Sequence, residues 1–196
     1  MVTDITFLTS WHSEKRKTDM GEIITMNLLD YANKWLDGEI KEDIAIAIAG
    51  AALLILSILA WRFGTSESAK AMIIPLLAAA LLLIVMGVAL GFNNYSRKEK
   101  FEQQYSESPQ EFLESEKERV DEFMKIYPMT IIVASVMMVI GICVFAFLSK
   151  PILRASALVL IFVALAALTI DYFSKERGVI YQNKLNSIQI EEQVSD

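Results

Sequence analysis

The sequence predicts an all-α integral membrane protein with four transmembrane helices, arranged as two α-hairpins with a cytoplasmic helical hairpin between spans two and three. Three observations point there. The 196 residues are 54% hydrophobic, above the roughly 45–50% of soluble domains. That excess is concentrated in four runs, 44–61, 71–92, 129–148 and 151–170, of which only the last holds a charge, Arg154. Each run comes close to or meets the roughly 20 residues that a helix needs to cross a hydrocarbon layer ~30 Å thick.

Ahead of the first run, residues 1–25 hold Lys15, Arg16 and Lys17 but no apolar core of signal-peptide length. They are expected to form an N-terminal tail outside the fold. Residues 26–42 come next as an amphipathic helix. Leu28, Leu29, Ala32, Trp35 and Leu36 fall on one stripe at helical spacing, with Asp30, Lys34 and Asp37 opposite and Gly38 as the expected stop. Such a helix is expected to lie in the membrane interface.

The membrane domain then covers 43–173. Its aromatic residues gather at run ends (Trp61, Phe63, Phe92, Tyr95, Tyr127, Tyr172), where an amphipathic ring prefers the interface. In span two, Gly87 and Gly91 form a GxxxG pattern that lets two helices approach closely. Arg154 lies one turn inside span four and Asp171 at its inner end; as membrane-edge charges they sit about 25 Å apart along the helix, too far to pair.

The connector 93–128 reads as two helical arms: 94–105 continue the second span, and the second arm is expected to run to Tyr127, where Pro128 opens the third span. Ser108-Pro109-Gln110-Glu111 is a helix start, with Ser108 as cap and Glu111 placed to reach back in a capping box. The second arm carries Phe112, Leu113, Val120, Phe123 and Met124 on one side. That stripe serves either to pack the arms together or as a docking face for a partner. Residues 174–196 form a helical tail.

Orientation follows from Lys and Arg. Fourteen of the eighteen lie in residues 1–43, 93–128 and 171–196, which share one side. The positive-inside rule puts both termini and the long connector in the cytoplasm, and the expected location is the cytoplasmic (inner) membrane, as a multi-pass protein.

Composition narrows the function. One cysteine cannot form a disulfide within the chain, and a net charge of −6 disfavours nucleic acid. The single histidine, His12, and the mid-span Cys143 give no nucleophile–base pair, and no cofactor or metal motif is present. An enzyme is not expected. Ion and proton paths mark themselves by ionisable groups inside the membrane, and the middles of the four spans hold none. The expected function is therefore non-enzymatic: protein–protein interaction in the membrane or on its cytoplasmic face, as a helper or immunity-type inhibitor of a membrane-acting partner. Besides the lipid bilayer, the expected partner is another membrane or cytoplasmic protein, with a homo-oligomer left open. The alternative is a small oligomeric pore or transporter.

Overall fold

A computed structural model describes the backbone of residues 3–194 and the side chains of residues 28–188. The tail expected over 1–25, His12 and the last residues of the helical tail lie outside the described side chains. The chain forms four helices: α1 (Thr3–Phe63), α2 (Glu67–Glu107), α3 (Pro109–Phe147) and α4 (Pro151–Val194). All four are long and apolar enough to cross a membrane. At 1.5 Å per residue, α2 to α4 each reach about 60 Å, twice the hydrocarbon thickness. Each helix therefore has an apolar half and a polar half.

Short turns force neighbours to run antiparallel. Ser66 caps α2, its side chain accepting from the Ala69 N–H at 3.1 Å. Ser108 caps α3 with Pro109 in the first turn, its side chain accepting from the Glu111 N–H at 3.3 Å. The reciprocal half of the expected capping box does not form: the Ser108 N–H donates to the Gln104 carbonyl, because α2 continues to Glu107 and claims that donor. The first connector arm continues the second span, as expected, but the second arm does not end at Tyr127. The two arms are the lower ends of α2 and α3, and α3 passes through Pro128 without a break. Gly38 does not stop α1, which continues through it.

The buried stripe of α1 shows why the helix continues. Leu28, Ala32, Trp35, Glu39, Asp43, Ile46, Gly50, Leu53 and Ser57 follow one another at three- and four-residue steps, all buried except the half-buried Glu39. One face is covered throughout, so nothing in the packing calls for an interruption. In the polar half this face joins α3 and α4. Leu28, Ala32, Trp35 and Leu36 meet Phe101 of α2, Phe112, Leu113 and Val120 of α3, and Tyr181, Leu185 and Ile188 of α4. Leu29, Phe123 and Met124 pack on the edge of this core. The stripe assigned to the membrane interface and the stripe offered for docking thus cover each other.

The apolar half is packed differently. Ile46 and Leu53 of α1, Leu76, Ala80 and Leu83 of α2 and Val159 of α4 make a second core. The buried Ser57 donates to the Ile73 carbonyl of α2 at 2.9 Å, a bond between helices where no water competes. Thr169 instead returns its hydroxyl to Leu165 of its own helix. The outward faces are large apolar side chains such as Ile48, Leu82, Val85, Ile132 and Phe162.

Gly87 and Gly91 have different roles. A Cβ on Gly87 would lie 2.6 Å from the Ala47 nitrogen and from the Asp43 carbonyl oxygen, both backbone atoms of α1. A Cβ on Gly91 would meet only the Asp43 Cβ, at 3.4 Å. Gly87→Ala is expected to push α1 from α2 and to cost about 1–3 kcal/mol as overpacking. Gly91→Ala is expected to be neutral or to stabilise. Unfolding by SDS titration in mixed micelles distinguishes them; equal effects would contradict this packing.

Candidate functional site: a polar belt and a buried carboxylate

Where the apolar runs end, all four helices place a polar side chain inward. Asp43 of α1 is 5% exposed and accepts from the Asn94 amide of α2 at 2.8 Å. Tyr127 of α3 donates to Ser174 Oγ of α4 at 2.8 Å, and Ser174 donates to Glu39 Oε1 of α1 at 3.3 Å. Arg177 of α4 closes the belt, its guanidinium reaching Glu42 at 2.7 Å and Glu39 at 3.3 Å. Lys98 of α2 pairs with Asp37 of α1 one turn lower. Helix α1 thus contributes four carboxylates, which residues of α2 and α4 answer, while Tyr127 of α3 joins them through Ser174.

Gly38 explains how Arg177 reaches its partners. The Arg177 Nε lies 2.8 Å from where a Cβ of residue 38 would stand. The side chain crosses α1 through the notch that glycine leaves. This residue is a passage for a neighbouring arginine, not a helix terminator.

Burial, then the neighbouring Glu42 carboxylate, push the Glu39 carboxyl above its ordinary range, and the bond from Arg177 only partly offsets them. A raised carboxylate pKa means the folded state holds more protons than the unfolded chain, so stability falls as pH rises from the ordinary carboxylate range through the raised value. Glu39→Gln keeps an acceptor for Ser174 and removes that loss. Relative to the wild type, the E39Q protein is expected to gain stability as pH rises across this window. An unchanged difference would contradict the assignment.

Two turns below the belt lies the second polar element. Glu116 is 3% exposed among Phe112, Leu113 and Val120. It accepts from the Arg119 guanidinium, Nε at 2.8 Å, and from the Tyr181 hydroxyl at 2.7 Å. Arg119 also lies 4.2 Å from the Trp35 ring centre, close enough for cation–π attraction. Trp35 stacks on Tyr181 at 4.9 Å and meets Phe123 edge-on at 5.7 Å. Burial and the Glu116 charge push the Tyr181 phenol upward, so it remains a donor. Residues of α1, α3 and α4 are thereby tied to one carboxylate. Tyr181→Phe removes one bond to a buried charge and is expected to cost about 1.5–3 kcal/mol, read from thermal unfolding in detergent. A loss below about 0.5 kcal/mol would mean that Glu116 is solvated.

The other expected site residues are dispersed. Arg154 is exposed and donates to the Leu148 carbonyl at 2.8 Å. Asp171 is half-buried near Tyr127, far along α4 from Arg154. Gly87 and Gly91 face a shallow apolar groove of about 550 Å³ walled by Ile44, Ile48, Val88 and Phe92. Among the described residues no group of His, Cys, Asp or Glu is arranged to hold a metal ion. The belt's carboxylates are engaged with donors of the same chain. The arrangement ties the four helices together at one level.

Sequence reading missed the belt and Glu116. The signal was present: Glu39 and Asp43 continue the Ala32–Trp35 stripe at three- and four-residue steps, and Glu116 interrupts the stripe of Phe112 and Val120. A charged residue in register with buried ones marks a paired charge.

Comparison with family models, with curated proteins and with solved structures finds no match.

Proposed function

We propose that the chain is a non-enzymatic multi-pass protein of the cytoplasmic membrane, with its termini and polar four-helix half in the cytoplasm. It acts there by protein–protein interaction, as a helper or immunity-type inhibitor of a membrane-acting partner. The excess of Lys and Arg in the polar half supports this orientation.

The observation that carries the interaction reading is the state of α3 in its apolar half. Its most apolar window is 11% buried, against 22% for the other three helices. Ile132, Val136, Val139 and Cys143 stand exposed on one stripe at four-, three- and four-residue steps. The docking stripe Phe112, Leu113 and Val120 is occupied within the chain, so recognition falls to this face in the bilayer, where another apolar helix packs by shape.

The test is the mass of the intact particle in mild detergent. A second protein in the particle is the expected result, and Val136→Trp with Val139→Trp is expected to remove most of it. Leu82→Trp, on an equally exposed face of α2, is expected to leave it in place. Phe112→Glu is expected to unfold the polar half and not to release a partner selectively. A particle of one chain alone would overturn the interaction reading. A homo-oligomer of three or more chains would favour the pore and call for flux measurements in liposomes.

A further inference from the structure

Beside the buried Glu116, between the lower part of α2 and the first turns of α3, lies a cleft of about 300 Å³. Three cations line it: Arg97, Lys100 and Arg119. The one carboxylate in its wall is Glu116, which already accepts from Arg119 and from Tyr181. Glu116 also attracts Arg97 across the cleft, but neither Arg97 nor Lys100 forms an ion pair with it. Arg97 is half-buried, and among the described residues it makes no hydrogen bond or ion pair. Burial and the like charge of Arg119 hold its pKa below the ordinary arginine value. Ser96 and Gln104 complete the wall with groups able to donate hydrogen bonds.

Three cations against one carboxylate leave the polar cleft with an excess of two positive charges, which calls for a dianion. A phosphate monoester carries close to two negative charges at neutral pH and accepts from a guanidinium in a fork. Over the whole connector, acidic residues outnumber basic ones nine to six, which concealed the local segregation. The cleft also has a definite depth. Asn93, in its wall, directly follows the apolar run that ends at Phe92. Arg97 lies five residues past that end, about 7.5 Å along the helix axis, at the level of lipid headgroups.

We propose that the cleft of Arg97, Lys100 and Arg119 is a binding site for a phosphate monoester dianion. That chemistry comes from two sources, the headgroup of phosphatidic acid or a free phosphate.

The test uses the full-length protein in phosphatidylcholine nanodiscs. Inorganic phosphate is titrated into one preparation by calorimetry. In a second, dioleoyl phosphatidic acid is mixed into the bilayer and the lipids retained are counted by native mass spectrometry. Binding of at least one probe is expected, weakened about tenfold or more by Arg97→Gln, the loss of a charge-assisted contact. Lys125→Gln, on a cation of the same connector outside the cleft wall, is expected to leave it unchanged. Retention of phosphatidic acid without phosphate binding assigns the site to a lipid headgroup, and phosphate binding in neutral nanodiscs assigns it to a soluble ligand. Lys100 is exposed, so Lys100→Gln keeps the test decisive if the R97Q protein fails to fold. If neither probe binds, or if the cleft variants bind as the wild type does, the proposal is overturned.

Discussion

Each helix of this protein has to bury a single stripe while passing through two solvents. In the apolar half the surroundings match the side chains, so association relies on shape, small residues and the few hydrogen bonds available. In the polar half, water drives apolar and aromatic side chains together. The Asp43–Asn94 and Tyr127–Ser174–Glu39 contacts stand at the change of regime. A polar group there faces inward while its helix leaves an apolar environment, and it bonds to another helix, with Arg177 Nε the one buried belt nitrogen among the described residues that has no hydrogen-bond partner. The rotation of each helix about its axis is therefore fixed at the belt, and the two cores on either side inherit it.

This constraint accounts for the different character of the two halves. The lower core joins all four helices through aromatic rings and the Glu116 contacts. The upper core joins α1, α2 and α4, while α3 makes a closer approach to α4, where Gly141 admits Ile161. The charges follow the same division. Carboxylates on α1 are answered by α4, whereas Arg97 and Lys100 on α2 face a cleft with no free carboxylate. The belt thus gathers carboxylates on α1, while the cleft gathers cations on α2 and α3.

The four apolar helices were legible because 18 to 22 residues with at most one charge are a strong, local signal. The Ser108 cap was legible for the same reason: its chemistry lies within four residues. What covers an amphipathic stripe was not legible. The Leu28–Leu36 face fits a lipid interface as well as a helical core, and only the distant Tyr181 and Leu185 decide between them. Gly38 was misread because glycine after an apolar stripe resembles a stop, while its use here depends on an arginine 139 positions away. The buried Glu116 could have been suspected from its register with Phe112 and Val120. Its partner Tyr181, on another helix, could not.

The most direct test of this architecture is the environment of Trp35, which is 5% exposed. Fluorescence would be recorded in bilayers containing brominated phospholipid, with Trp35 as the only tryptophan after Trp11 and Trp61 are changed to Phe. A tryptophan enclosed by Tyr181, Phe123 and Arg119 is shielded from the lipid bromines, and its emission is predicted to be unaffected by them. The matching protein retaining only Trp61, which is 72% exposed at the end of span one, should be strongly quenched. Strong quenching of Trp35 would place residues 28–36 against lipid and contradict the closed four-helix core.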